Sequence, residues 1–267
     1  MLFRKGSEMN SLANFQKLCE CSSQNLFQME PIEYVGAAPM NKKNRSSIGG
    51  WLLVGFALVI GWIFVKPLIP YLQAQQTLTS DENVRAAIQD LQSDGNFPSL
   101  LAAAALERSQ NEVSYEGSYF EIPFPNGDIS LDRGKAEDLI VRSYRTVGID
   151  LQLDVHKDIK GDFYSYPQLY QAKGPDTNVD HRRVKNLQRF FSRNGETLST
   201  SLDSQDYAVG DVVIWNLLDG AKHIGIVVPG PGAKKAEPWV VHNIGDGPVW
   251  EDKLFDYPID GHYRYGE

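Results

Sequence analysis

The sequence predicts an α+β domain in which helices come first and an antiparallel sheet follows, preceded by a single transmembrane helix. Three observations lead to this prediction. Residues 48–65 are uncharged, and residues 80–148 contain apolar residues at helical spacing between capping residues. Residues 210–265 contain short runs rich in Val, Ile and Trp, separated by turn residues. The 267 residues suffice for one sizeable domain with appendages.

The uncharged run is a candidate membrane anchor. It extends from Ile48 to Val65, close to the length of about 20 residues that a spanning helix needs. Three basic residues precede the run and Lys66 alone follows it, so the positive-inside bias places the N-terminus in the cytoplasm. The run is longer than the apolar region of a cleaved signal peptide. We therefore predict an uncleaved anchor over residues 48–67.

Residues 1–47 are predicted to form a cytoplasmic tail. The stretch "MNKKNRSSIGGWLLV" from Met40 has the features of a complete N-terminus, and one hypothesis is that translation begins there and leaves residues 1–39 untranslated. Cys19 and Cys21 are the two cysteines of the chain, and we interpret them as a reduced pair rather than a metal site. The predicted exterior domain therefore has neither a disulfide nor a thiol.

The charge of the chain is uneven and limits the classes of partner. Of the net charge of −8, residues 1–67 contribute +3 and residues 68–267 contribute −11. An acidic main domain argues against nucleic acid or anionic lipid head groups as its partners.

Two helices are predicted directly after the anchor. Ser80 and Gly95 have the residue types that begin and end the first helix, which we assign to a stalk over residues 68–96. The second helix, "PSLLAAAALERSQ" with Ser99 as its N-cap, opens the predicted exterior domain of residues 97–267.

The next helix decides the functional interpretation. In "SLDRGKAEDLIVRSYRTVG" apolar residues recur at helical spacing from Ala136 onward, and Gly148 ends the run. Ala136 therefore lies in the first turn, on the buried face. Residues 150–200 are expected to be irregular. Strands are then predicted at "GDVVIWNL", "KHIGIVV", "PWVVHNIG" and "GHYRY", and two of them carry His223 and His242.

A helix start followed by histidines on later strands is the chain order of papain-like cysteine hydrolases. In those enzymes the helix dipole lowers the pKa of the thiol, a histidine acts as base, and a third residue orients that histidine. Strand histidines taken alone are more often structural. The specific signal is their joint order with "GDVVIW" directly upstream.

The motifs "GDVVIW", "KHIGIVV" and "WVVHN" resemble those of NlpC-type cell-wall peptidases. Residues 97–265 resemble more closely a bacterial family known as domain of unknown function 1287, over "DRGKAEDLIVRSYRTVGIDLQ", "YPQLY", "NVDHRRVKNL" and "VVHNIGDGP…GHYR". Members of this family read D-x-G-V-C-T-D at the helix start, and the aligned cysteine falls on Ala136. The resemblance implies a papain-like (NlpC-type) domain that has an alanine at the nucleophile position.

The resemblance also implies roles for other residues. His223 would be the base and His242 its orienting partner, with Asn243 as a substitute partner. Lys185 departs from a proline of the family. The positions implied to bind substrate are Asp132, Asp138, Asp180, His181, Arg182, Arg183 and Asn243. Bracing a loop is the alternative role of Asp180, His181, Arg182 and Arg183.

The absence of sulfur at Ala136 leaves three explanations open. The domain binds peptide without cutting it, or engineering removed the cysteine of a working enzyme, or other groups perform the chemistry. Lys135 and Ser143 are weak alternative nucleophiles. No short metal-binding spacing and no cofactor-binding glycine loop occurs, so we predict no cofactor. Scattered ligands for a catalytic metal would be Asp132, Glu137, Asp138, His223 and His242.

These observations predict a protein anchored in the bacterial inner membrane, with a periplasmic domain that binds or acts on peptidoglycan stem peptides. Whether it is an enzyme stays open at this point. The alternative is an active peptidoglycan peptidase or amidase. A third hypothesis is a subunit of an envelope-spanning complex, such as a secretion apparatus, for which the stalk and the tail would supply contacts. The expected partners are peptidoglycan, the membrane and proteins of such a complex.

Overall fold

The computed structural model describes residues 48–66 and 80–266. The predictions for residues 1–47 lie outside the described residues, and these include the cytoplasmic tail, the start at Met40 and the Cys19 and Cys21 pair. Residue 67 of the predicted anchor and residues 68–79 of the predicted stalk also lie outside them.

Helix α1 (Ile48–Val65) coincides with the uncharged run. Large apolar side chains along this helix are exposed, among them Phe56 and Phe64. Across residues 48–66 and 80–266, no helix meets the combined length and hydropathy expected of a membrane span.

The other helices and the strands follow in chain order. The helices are α2 (Asp81–Asp94), α3 (Phe97–Arg108), α4 (Ala136–Thr146), α5 (Leu151–Gly161) and α6 (Val184–Asn194). The strands are β1 (Ser114–Tyr115), β2 (Arg133–Gly134), β3 (Glu196–Thr197), β4 (Val212–Asn216), β5 (Lys222–Pro229), β6 (Pro238–His242), β7 (Val249–Glu251) and β8 (Ile259–Arg264).

The predicted caps of α2 are confirmed, and the predicted cap of α3 is wrong. Ser80 precedes α2, and Gly95 follows it with a left-handed φ of 65°. Helix α3 begins after Asn96, because the Asn96 side-chain oxygen accepts a hydrogen bond from the Ser99 backbone N–H at 2.9 Å. Ser99 itself lies inside the helix.

Helix α2, predicted as part of a stalk, packs one face against α3. Its buried residues Val84, Ala87 and Leu91 recur at a spacing of three and four residues, as one face of a helix requires. They belong to the same hydrophobic core as α4 and the sheet. Helix α2 is therefore part of the packed core of the domain.

The expectation that residues 150–200 are irregular is wrong, because α5 and α6 occupy much of this range. Helix α5 buries Leu151, Val155 and Ile159 at a spacing of four residues, and Asp150 caps it by accepting from the Gln152 N–H at 3.2 Å. Helix α6 likewise buries Val184, Leu187, Phe190 and Phe191 at helical spacing, so both helices have a period that the sequence reasoning overlooked.

The main sheet has six antiparallel strands in the order β3-β8-β4-β5-β6-β7, and β1 and β2 form a separate parallel pair. Helices α4 and α6 contact β5. The predicted α+β class, with helices packed on an antiparallel sheet, is confirmed.

Alternate residues of β5 lie on opposite faces of the sheet. Ile224 and Ile226 belong to the core that contains α4 and α6. Val227 belongs to a second, smaller cluster, together with Trp215 of β4 and Val240 of β6. The sheet is thus covered on both faces, and polar side chains on either face are shielded from water.

The Gly-Asp pair of "GDVVIW" has a structural role. Gly210 has a φ of 87°, and a Cβ atom there would come within 2.7 Å of the Pro98 backbone. The Asp211 carboxylate is fully buried and accepts from His262 Nε2 at 2.8 Å and from Arg264 Nε at 2.8 Å. Asp211 therefore ties the start of β4 to the end of β8.

Candidate functional site

Ala136 is the first residue of α4, as the sequence predicts, and its side chain is 4% exposed. The methyl group belongs to the main hydrophobic core. Lys135 precedes it in an extended conformation, and its backbone N–H donates to Asp138 Oδ2 at 2.9 Å. The position offers a helix N-terminus and its dipole, but no group with a lone pair.

Asp138 and Arg182 form a buried, bidentate ion pair next to this helix start. Arg182 Nε lies 2.7 Å from Asp138 Oδ1, and Arg182 Nη2 lies 3.1 Å from Asp138 Oδ2. The guanidinium also donates to the carbonyl oxygens of Glu116 at 3.2 Å and Ser118 at 3.3 Å. Its donors are therefore directed at the protein itself, which makes bracing the role that the contacts support.

Asp180, His181 and Arg183 complete the polar run "DHRR". Asp180 Oδ2 accepts from the Asp176 N–H at 2.6 Å, Asp180 Oδ1 lies 3.3 Å from Arg183 Nη1, and burial raises the pKa of this carboxyl. Burial lowers the pKa of His181 to about 4. Arg183 also lies over the Tyr170 ring, 5.2 Å from its centroid, and borders a cavity of about 530 Å³.

His223 and His242 come together as a buried pair. Their Nε2 and Nδ1 atoms lie 3.1 Å apart, and the rings are 5% and 2% exposed. Trp215 stacks on His223 at 5.7 Å between centroids, and its Nε1 donates to the Leu254 carbonyl oxygen at 2.8 Å, which fixes the indole. Burial lowers the pKa of His223 to about 3, and the neighbouring His242 contributes a smaller part of this shift. His223 is therefore a neutral imidazole at neutral pH.

Two charged residues beside this pair were missed by the sequence reasoning. Glu251 Oε2 lies 3.3 Å from His242 Nε2, although the alignment falls short of a good hydrogen bond. Lys253 Nζ lies 2.8 Å from the same oxygen. The contact with His242 is the largest cause that lowers the pKa of Glu251 to about 2, and Lys253 lowers this pKa further. The signal in the sequence is the hairpin "VVHNIGDGPVWE", whose two strands place Glu251 opposite Val240.

Asp132 and Asn243 are not joined to either cluster. Asp132 is exposed and accepts a short hydrogen bond from Ser130, which lowers the pKa of this carboxyl. Asn243 is buried, and its side-chain oxygen accepts from the Gly245 N–H at 3.0 Å. Asn243 thus stabilises the turn after β6, while His223 bonds to His242 instead.

The alternative chemistries receive no supporting cluster in the described part of the chain. Within residues 48–66 and 80–266, no three His, Cys, Asp or Glu side chains lie together as metal ligands. Ser143 is fully buried and donates to the Leu139 carbonyl oxygen at 2.8 Å. Lys135 Nζ pairs with Glu137 at 2.8 Å. Both weak alternative nucleophiles are thus engaged in structural contacts.

The candidate site residues therefore form two polar clusters, and the helix start at Ala136 carries a methyl group. The first cluster joins Asp138 with Arg182, and the second joins His223 with His242 and Glu251. Strand alternation places the histidine pair on the Trp215 face of the sheet, while Ala136 belongs to the core of the other face.

We predict that Arg182→Met lowers the free energy of unfolding by about 3–5 kcal/mol, because it leaves a buried carboxylate without its partner. Arg183→Met should cost distinctly less, because Arg183 is more exposed and its ion pair with Asp180 is longer. Urea unfolding of both variants measures the difference. Equal losses in the two variants would contradict the bracing role of Arg182.

We predict that the domain loses stability as the pH falls below about 6.5. The folded-state pKa of His223 lies below the ordinary value of 6.5, so the unfolded chain binds the proton first. The stability contribution is complete above pH 6.5 and is lost as the pH falls toward 3. His223→Gln should reduce this slope by at most about 1.4 kcal/mol per pH unit.

Urea unfolding at a series of pH values measures that slope, and His156→Gln is the control because His156 lies outside both clusters. His181 titrates in the same direction, so part of the slope remains in either variant. An unchanged slope in His223→Gln would show that His223 is not held neutral by the fold.

Comparisons with known proteins agree with the resemblance drawn from the motifs. Residues 102–265 match the family described as a domain of unknown function, DUF1287. A protein of Escherichia coli (strain K12), named "Uncharacterized protein YijF", is 41% identical over 175 residues, which cover 66% of this chain and 85% of that relative. The matched region contains α4, the "DHRR" run and both histidines of the pair. The chain therefore belongs to the DUF1287 family.

Proposed function

We propose that the domain binds peptidoglycan stem peptides in a papain-like (NlpC-type) groove and does not cleave them. The observation that carries this proposal is a preserved imidazole pair combined with a methyl group at the expected nucleophile position. His223 and His242 keep hydrogen-bond contact at 3.1 Å, while Ala136 has no atom that attacks a carbonyl carbon.

The surroundings of Ala136 supply no replacement nucleophile. Ser143 and Lys135 are engaged in the contacts described above. Cys19 and Cys21 precede the uncharged run, so they lie outside the proposed exterior domain. Binding without cleavage is therefore the activity that these residue types support.

The charges of the domain suit a short peptide with both amines and carboxylates. The net charge of −11 over residues 68–267 favours ligands with free amino groups. A cavity of about 530 Å³, lined by residues other than Ala136 and the histidine pair, contains the aromatic and charged side chains of Tyr119, Lys173, Asp176 and Arg183. A cleft with a few convergent polar groups on an aromatic lining is typical of small-ligand sites.

The second candidate is an active peptidoglycan peptidase or amidase whose cysteine was replaced by engineering. The neutral state of His223 favours it, because a neutral imidazole can act as a general base. A role in an envelope-spanning complex is compatible with either candidate, since such a complex needs a local opening in the wall.

We also propose that the chain is a single-pass inner-membrane protein with its N-terminus in the cytoplasm and its domain in the periplasm. The uncharged run of residues 48–65 and its basic N-terminal flank support this location. The exposed apolar side chains of α1 are the kind of surface that lipid would cover.

We predict that the purified chain binds sacculi and releases no fragments from them, whereas Ala136→Cys releases peptide fragments. The added thiol would restore the nucleophile at the helix start. Co-sedimentation with sacculi measures binding, and mass spectrometry of the supernatant measures cleavage. Ala136→Ser is the matched control for size, and Ala136→Cys with His223→Gln is the control for the base.

Three outcomes would contradict parts of this proposal. Failure of the chain to bind sacculi or soluble stem peptides would overturn it. Cleavage by the unaltered chain would replace it with an enzyme that uses other groups. Cleavage by Ala136→Cys that survives His223→Gln would remove His223 from the site.

For the location, we predict that the chain remains in the membrane pellet after alkaline extraction, and that protease added to spheroplasts digests the domain. A variant without residues 48–66 should be released by the extraction. Protection of the domain in intact spheroplasts would reverse the proposed orientation, and extraction of the full chain would remove the anchor.

A further inference from the structure

We propose that Glu251 is a positioning residue that fixes the direction of the hydrogen bonds in the imidazole pair, so that His223 Nε2 carries the proton and His223 Nδ1 is left bare. In this arrangement protons point from His223 to His242 and from His242 to Glu251. The assignment of the protons follows from contacts of the described residues. Its importance for a reaction or a ligand rests on the proposed function.

The pairing of β6 with β7 brings Glu251 within reach of His242. Val249 lies opposite His242, and Glu251 lies opposite Val240, two residues away on the same face of the sheet. Diagonal neighbours of this kind are within reach of long side chains. Glu251 Oε2 accordingly lies 3.3 Å from His242 Nε2 and is the carboxylate oxygen that this nitrogen faces.

Lys253 holds the Glu251 carboxylate in place and keeps it charged. Its Nζ lies 2.8 Å from Glu251 Oε2, and the His242 contact together with this ammonium lowers the pKa of Glu251 to about 2. An ionised carboxylate accepts hydrogen bonds and donates none. The nitrogen of His242 that faces Glu251 must therefore carry a proton.

The remaining protons follow in order along the pair. With its proton on Nε2, the His242 ring has a bare Nδ1, which accepts from His223 Nε2 at 3.1 Å. His223 is neutral because burial lowers its pKa, so it has one ring proton, and that proton lies on Nε2. This order places no positive charge on either ring, which suits a pair almost excluded from water.

The bare nitrogen is also the one without a partner in the structure. Within residues 48–66 and 80–266, the hydrogen bond of the His223 ring is made through Nε2, and none is made through Nδ1. His262 differs, because its Nδ1 lies 2.7 Å from the Ser199 carbonyl oxygen and its Nε2 lies 2.8 Å from Asp211. His223 thus keeps one free acceptor, while His262 has none.

If the hydrogen bonds of the imidazole pair ran in the opposite direction, the ring protons would lie on different nitrogens. A doubly protonated His242 would donate through Nδ1 to His223 Nε2, and the proton of His223 would then lie on Nδ1. His223 would present a donor instead of an acceptor. The two states differ in the position of one ring proton, which nitrogen NMR distinguishes directly.

The experiment uses the whole chain with its five histidines labelled with nitrogen-15. Long-range proton–nitrogen correlation spectra at neutral pH identify which ring nitrogen carries the proton, and His223→Gln and His242→Gln assign the signals. We expect the Nε2–H form for both rings of the pair. We expect Glu251→Gln to move both rings toward the Nδ1–H form, because the amide nitrogen can donate to His242 Nε2.

Glu237→Gln is the matched control, because Glu237 also pairs with a lysine, Lys234, at 2.9 Å, away from the histidines. It should leave the signals of the pair unchanged. An Nδ1–H form of His223 in the unaltered chain would overturn the inference, and so would signals unaffected by Glu251→Gln. A doubly protonated His242 would overturn it as well.

The role proposed for Glu251 and the ligand proposed for the domain can be disproved independently. If the ring protons behave as expected and the chain does not bind sacculi, the role of Glu251 in the pair stands and the proposed ligand is wrong. If sacculi bind and the protons lie on the other nitrogens, the ligand stands and the role of Glu251 is wrong.

Discussion

The geometry around α4 depends on the buried ion pair between Asp138 and Arg182. One guanidinium binds the carboxylate in the first turn of the helix and the carbonyl oxygens of Glu116 and Ser118. The same carboxylate accepts from the Lys135 N–H and so fixes the residue before the helix. The helix start is therefore shaped by a residue beyond Ala136, which explains why the fold accommodates an alanine there.

The histidines illustrate how similar side chains acquire different roles from their surroundings. Both ring nitrogens of His262 form hydrogen bonds, one with a backbone oxygen and the other with the Asp211 carboxylate. His223 bonds through one nitrogen, and Trp215 holds its ring by stacking. An imidazole with both nitrogens engaged supports the sheet, whereas one with a free nitrogen remains available for a ligand or a proton.

An alanine at position 136 is compatible with the packing of the domain. A methyl group at position 136 packs in the core. The polar residues that surround a papain-like site in the proposal, His223, His242 and Glu251, do not need the thiol for their mutual contacts. These contacts and the missing nucleophilic atom are the physical basis for proposing a binder.

The sequence by itself determined the α+β class, the strands β4, β5, β6 and β8, the bounds of α2 and α4 and the family. Gly95 and Gly148 adopt left-handed backbone conformations at the ends of their helices, so their effects are local and can be read from the chain. The tertiary structure alone decided that α2 packs into the core. It also decided that Glu251 meets His242. These outcomes depend on burial against distant residues and on strand register, and a shift of one residue would turn Glu251 to the other face.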